Sequence, residues 1–170
     1  MEHLFLVNPA AGKEDATPAV KQFSALLSQS LGEPCQVQIS RGPGELTQLA
    51  RAAGETGRPI RLYACGGDGT LNEVVTGAVD YENLSITCLP MGSGNDFIKQ
   101  FPNPAAFSEP AAYCNVTEKR LDLMEVCGSL AVNVCSVGFD ARIGTQIDRY
   151  RRIPLLSGPR AYWVSVLVNL

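Results

Sequence analysis

The residues best suited to chemistry form a short run, Gly66-Gly67-Asp68-Gly69-Thr70, directly after an apolar stretch and directly before a helical pattern. Glycines at such a junction admit positive φ angles and let the backbone come close to a ligand. Their N–H groups, together with the N-terminus of the following helix, make a site for phosphate anions. Asp68 would repel a bare phosphate, so its carboxylate makes sense with a divalent cation between them. A carboxylate plus phosphate oxygens is the usual way Mg²⁺ is held. A local reading competes with this one. Thr70 and Glu73 have the T-x-x-E spacing of a capping box, and glycine turns join strands to helices in many α/β proteins without any ligand.

Two further loops bear on that choice. Asn8-Pro9-Ala10-Ala11-Gly12-Lys13 follows an apolar strand and has too few glycines for a Walker A loop. Pro90-Met91-Gly92-Ser93-Gly94-Asn95-Asp96-Phe97 follows another, where Ser93 and Asp96 also suit a helix start. Loops at the carboxyl ends of parallel strands converge on one edge of the sheet, where ligands bind in open α/β folds. Convergence would gather Asn8, Asp68, Asn72, Glu73, Asn95 and Asp96, which independent turns would not require.

The elements that must position these loops alternate strand and helix. His3–Val7 reads as a short buried strand. A helix capped by Thr17, with Pro18 in its first turn, buries Val20, Phe23 and Leu27 and stops at Gly32. Cys35, Val37 and Ile39 alternate as in a strand, and Leu46, Leu49, Ala50 and Ala53 have helical spacing. Ile60–Cys65, Leu71–Ala78 and Ser85–Leu89 supply a strand, a helix and a fourth strand. This repetition predicts a parallel sheet covered by helices on both faces, a three-layer α/β/α domain. Past Pro102, Pro104 and Pro110 the texture changes. A hairpin is expected from Leu121–Cys127 and Leu130–Val137 around a Gly128-Ser129 turn. The domain change is placed near residue 119, with residues 1–118 as the α/β domain and 119–170 as the incomplete start of a mostly β domain. Helical patterns at about 140 to 151 and 159 to 170 close the chain, where Trp163, Val164, Val166 and Leu167 read as core packing. An end inside an apolar helix, with no polar tail, is what a truncation would leave.

Composition narrows the classes of function. A net charge of -3 provides no basic footprint, so nucleic acid is not an expected partner. The six cysteines contain no C-x-x-C pair, and Cys65 and Cys88 sit in apolar runs as small hydrophobes. With no signal-peptide pattern and no apolar run long enough to span a bilayer, a reduced cytoplasmic protein is expected. Arg142, Arg149, Arg151, Arg152 and Arg160 are read as a solvated helix face rather than a membrane patch. His3, the single histidine, has no partner motif and is given no role.

The three loops carry a resemblance as a set. Asn8-Pro9-x-x-Gly12-Lys13, then Gly66-Gly67-Asp68-Gly69-Thr70-Leu71-Asn72-Glu73-Val74, then Leu89-Pro90-Met91-Gly92-Ser93-Gly94-Asn95-Asp96-Phe97 resemble the diacylglycerol kinase catalytic domain. That family includes bacterial lipid kinases and sphingosine kinases. Leu121-Asp122-Leu123 and Asn133-x-x-x-x-Gly138-Phe139-Asp140-Ala141 resemble its next landmarks. The resemblance implies an N-terminal α/β domain, a C-terminal β-sandwich domain and an active site in the cleft. It implies ATP and Mg²⁺ as cofactors. The nucleotide would lie on Asn8, Pro9, Ala10, Ala11, Gly12, Gly66, Gly67, Asp68, Gly69, Thr70, Asn72 and Glu73, with Ser93 on the third loop. Arg41 stands where the family often has a threonine near the nucleotide. Asp68, Asp96 and Asp122 match acidic residues that organise a water-linked Mg²⁺, and Asp68 is the catalytic group among the residues present.

The implied reaction is transfer of the γ-phosphate of ATP to a lipid hydroxyl. Diacylglycerol leads as substrate because Gly94-Asn95-Asp96-Phe97 resembles the diacylglycerol-kinase version of the loop. A lipid partner implies transient peripheral contact with the inner membrane surface, and a homodimer is left open. The family's general base and structural metal site would lie beyond Leu170. The 170 residues alone are therefore expected to bind nucleotide poorly or moderately without turnover. Two other readings stand. An NAD kinase shares the GGDGT core, although the Asn8-Pro9 loop and the Leu71-Asn72-Glu73 continuation count against it. A non-catalytic nucleotide-binding regulator is the second.

Overall fold

The computed structural model of the protein describes residues 1–138, 141 and 142. Strand β1 (Glu2–Val7) is followed by helix α1 (Thr17–Leu31), β2 (Cys35–Ile39), α2 (Glu45–Glu55), β3 (Ile60–Gly66), α3 (Asp68–Ala78) and β4 (Leu84–Pro90). The four strands form one parallel sheet in the order β2-β1-β3-β4. Side chains alternate across a strand, so the continuous apolar run of β1 supplies both faces. Leu4 and Leu6 join Leu46 and Ala50 of α2 and Leu71, Val74 and Val75 of α3. Phe5 and Val7 join Val20, Phe23 and Leu27 of α1. The three-layer expectation is met.

The placement of helices follows from crossover handedness. From β1 the chain moves one way to β2, then returns across β1 to β3 and on to β4. Right-handed crossovers therefore put α1 on one face and α2 and α3 on the other. The order reverses between β1 and β3, and a crevice opens at such a switch point beyond the carboxyl ends of the strands.

Local details correct parts of the sequence reading. Thr17 is the first residue of α1 and not its cap; its N–H donates to Asp15 Oδ1 at 2.8 Å. Gly32 ends α1 as expected, at φ 68°. Ile39 is 41% exposed, at the end of the edge strand β2. The hairpin is shorter than expected, pairing β5 (Met124–Val126) with β6 (Ser129–Ala131). Its turn is Cys127-Gly128 rather than Gly128-Ser129. Both have positive φ, 51° and 76°, which suits the right-handed twist of a two-residue hairpin. Met1–Asn133 form one compact unit that includes this hairpin. Of the helical stretch expected at about 140 to 151, only Ala141 and Arg142 are described, and both are helical. The rest of it, and the stretch at 159 to 170, with Arg149, Arg151, Arg152, Arg160 and Trp163, lie outside the described residues.

All six cysteines are free. Burial pushes the Cys88 thiol up to about 12 and that of Cys65 higher still, as expected of thiols acting as core hydrophobes. His3 does have a structural role. It is buried at the amino end of β1, with Nδ1 2.8 Å from the Tyr63 hydroxyl and Nε2 3.1 Å from Glu33 Oε2. Among the described residues no helix is long and apolar enough to cross a membrane.

Candidate functional site

The loops after β1, β3 and β4 meet at the carboxyl edge of the sheet. Asn8 N–H donates to Cys65 O at 3.0 Å, and Met91 N–H donates to Gly66 O at 2.9 Å, which extends the strand pairing into the loops. Asn8 Nδ2 then donates across the crevice to Thr70 Oγ1 at 3.0 Å. Its Oδ1 accepts the Ala10 N–H at 3.0 Å, so Asn8 shapes its own turn while bridging to α3. A Cβ added at Gly12 would stand 2.5 Å from Met91 O, which places the first loop against the third.

The helix begins at Asp68, earlier than the capping-box spacing requires, and the capping box does not form. Gly67 is the residue before the helix, and no side chain caps its amides. Thr70 sits inside the first turn, buried, facing Asn8. Glu73 reaches away, its Oε2 accepting the Gly44 N–H at 3.1 Å beside the start of α2. The first-turn N–H groups of α3 therefore have no side-chain partner, and a helix N-terminus of this kind attracts anions.

Close packing enforces the glycines around this end. A Cβ on Gly66 would meet Thr70 Oγ1 at 2.2 Å, and one on Gly92 would meet Gly67 Cα at 2.3 Å. The third loop is held by a reciprocal amide clasp. Gly92 N–H donates to Asn95 Oδ1 at 3.0 Å, and Asn95 Nδ2 donates to Gly92 O at 2.8 Å, with Asn95 itself at φ 50°. Asp68 joins the loops from the other side, its Oδ1 accepting the Phe97 N–H at 3.1 Å. Only a shallow depression, with room for about one water molecule, lies between Gly67, Asp68, Asn95 and Phe97.

The other expected site residues are distributed as follows. Asp96 approaches Asp68: a Cβ on Gly94 would lie 3.0 Å from Asp68 Oδ2 and 3.4 Å from Asp96 Oδ2. Asp96 Oδ1 also accepts from Lys99 Nζ at 2.5 Å. Asp122 is exposed on the segment leading into β5. Among the described residues no group of three or more His, Cys, Asp or Glu side chains could hold an ion directly. Ser93 and Gly69 are exposed at the mouth, as is Arg41 just past β2. There Ser40 N–H donates to Val7 O at 2.8 Å, one strand over from Asn8. Asn72 faces the hairpin: Nδ2 donates to Leu130 O at 3.1 Å, and Oδ1 accepts the Val132 N–H at 3.3 Å. Sequence reasoning missed the roles of Asn72 and Glu73 as ties, since nothing in local spacing reveals a partner 29 to 60 residues away.

The donor set suits a phosphorylated ligand. Backbone amides at an uncapped helix start, a glycine with open space above it and a nearby carboxylate pair fit polyphosphate with a divalent cation. The family described as diacylglycerol kinase catalytic domain matches residues 2–126. A "Probable lipid kinase YegS-like" protein of Pseudomonas aeruginosa is 30% identical over 141 residues, covering 82% of this chain and 45% of that protein. Another of that name from Pseudomonas fluorescens is 31% identical over 119 residues, covering 68% and 38%. This chain thus spans less than half the length of those relatives. A crystal structure of a diacylglycerol kinase from Bacillus anthracis strain Sterne superposes with a TM-score of 0.60 at 23% identity, covering 76% of this chain and 47% of that one.

Proposed function

The chain belongs to the diacylglycerol kinase catalytic domain family, and from that premise we propose that it supplies the nucleotide half of a kinase that transfers the γ-phosphate of ATP to a lipid hydroxyl, with diacylglycerol as the leading acceptor. The observation that carries this reading is the uncapped start of α3, set in a crevice that three loops build between β1 and β3. In this proposal the amides of Asp68, Gly69 and Thr70 bind phosphate oxygens, while the loops from Asn8 and Ser93, with Arg41 beside them, flank the nucleotide. In this proposal residues 1–118 carry the nucleotide, and the segment from 119, which shares their compact unit as far as Asn133, leads toward a second domain.

Asp68 and Asp96 would hold Mg²⁺ through water, with Asp122 joining from the second domain; Oδ2 of Asp68 is the oxygen that the Phe97 N–H does not take. Bound there, Mg²⁺ neutralises charge on the phosphates. The lipid hydroxyl oxygen attacks the γ-phosphorus, the bond from that phosphorus to the bridging oxygen breaks, and ADP leaves carrying the electron pair. In this proposal the hydroxyl proton passes to a base outside the three loops. Positioning by the loops is this chain's contribution to catalysis.

The test is transfer of labelled γ-phosphate by the full-length protein, with diacylglycerol in mixed micelles and with sphingosine and NAD as rival acceptors. Mg²⁺-dependent labelling of diacylglycerol is the expected result. Labelled NADP with no lipid product would overturn the lipid assignment, and ATP binding without any product would favour a regulator.

A further inference from the structure

Within Gly66–Glu73, each polar side chain is tied to a different segment. Asp68 holds the Phe97 N–H, Thr70 accepts from Asn8, and Glu73 accepts from Gly44. Asn72 alone reaches the hairpin, and it does so with both ends of its amide. Its Nδ2 donates to Leu130 O in β6, and its Oδ1 accepts the N–H of Val132 just beyond it. A primary amide that donates to one residue and accepts from the next but one copies the bonding of a neighbouring strand. The backbone beside it is committed as well, since Thr76 Oγ1 donates to Asn72 O at 2.8 Å. Apolar packing runs alongside, with Leu123 and Val132 against the cluster that contains Leu71 and Val75.

We propose that Asn72 is a positioning residue: it latches the β5–β6 hairpin to the helix whose first turn binds phosphate, and it does not touch the nucleotide. This rests on the kinase reading above only for what the latch serves. Both bonding ends of the amide are spent on β6, so a nucleotide contact would have to break them. A two-stranded hairpin is marginally stable by itself, so its position relative to α3 depends on such ties. The hairpin stands where the chain leaves the α/β layers. The latch therefore carries the alignment of the phosphate site into whatever the hairpin supports, and its loss should lower kcat more than it raises KM for ATP.

The experiment uses the full-length protein and compares wild type with Asn72→Ala and Asn72→Asp by hydrogen–deuterium exchange of residues 129–132 and by calorimetric MgATP titration. For Asn72→Ala, exchange over this segment should rise about tenfold, the order expected when a hydrogen bond is lost, while ATP affinity stays within about twofold. Asn72→Asp keeps an acceptor for the Val132 N–H but loses the donor to Leu130 O, so it should protect Val132 and still lower kcat. It decides the matter if Asn72→Ala does not fold. An ATP affinity loss of tenfold or more, with or without faster exchange, overturns the proposal, as does unchanged exchange. If the protein binds no ATP at all, the kinase reading fails while the exchange data still judge the latch.

Discussion

Gly69 separates what the fold needs from what a ligand needs. It is the second residue of α3, it is exposed, its φ is outside the left-handed region, and a Cβ added there meets no atom within 4 Å. Neighbouring Gly66 and Gly92 cannot accept a Cβ, since Thr70 Oγ1 and Gly67 Cα would stand 2.2 and 2.3 Å away. Gly69 carries no such constraint, and in a helix glycine is roughly 0.5–1 kcal/mol worse than alanine. Gly69→Ala should therefore stabilise the protein by about 0.5 kcal/mol, the lower end because the position lies in the first turn. That corresponds to a rise in Tm of roughly 1–2 °C for a chain of this size. If phosphate oxygens rest on the α3 amides, the same methyl group intrudes on them. Affinity for MgATP should then fall by at least about tenfold, or about 1.4 kcal/mol. Thermal melts and calorimetric titration of one variant read both effects. A more stable protein with unchanged affinity would refute the placement of phosphate at α3, and a less stable one would refute the account of Gly69 as unconstrained.

Gly92→Ala should cost about 1–3 kcal/mol in chemical denaturation, the range for overpacking, because separating the third loop from Gly67 also strains the Asn95 clasp. Asp68→Asn keeps an acceptor for the Phe97 N–H, so stability should stay within about 0.5 kcal/mol. The Mg²⁺ dependence of ATP binding should be lost in the same variant, by titration with and without the ion. His3 gives a pH test. Burial lowers its pKa below the ordinary 6.5, against the opposing pull of Glu33. The unfolded chain therefore takes up a proton more readily, and the stability His3 contributes is full above pH 6.5 and is lost as pH falls through the folded value. Denaturation midpoints measured downward from pH 7.5 should decline in wild type and decline less in His3→Asn.

The layers were legible because β1 and β3 each hold an unbroken apolar run, Leu4–Val7 and Leu62–Cys65. Such a run fits a strand buried on both faces, and its spacing from the helical stretches leaves few alternatives to a parallel sheet. The convergence of the loops was legible for the same reason, since parallel strands send all their carboxyl ends to one edge. Local chemistry misled where two uses of the same residues compete. Thr70 and Glu73 have capping-box spacing, yet Asp68 already lies inside the helix, so Thr70 turns to Asn8 and Glu73 to Gly44. The hairpin turn slipped by one residue because Cys127 takes a positive φ that its type does not advertise.

The motif's four polar side chains illustrate the limit of reading function from a pattern. A run recognised by its glycines and its carboxylate suggests that every member touches the ligand. Here Asp68, Thr70, Asn72 and Glu73 are tied to four different segments, and assembly alone accounts for a polar side chain at each, though not for the charge on Asp68. Assembly does not account for Gly69, which no neighbour requires, or for the uncapped amides around it. Those features are what a phosphate site would need, and the remaining polar residues of the motif hold that site in one shape.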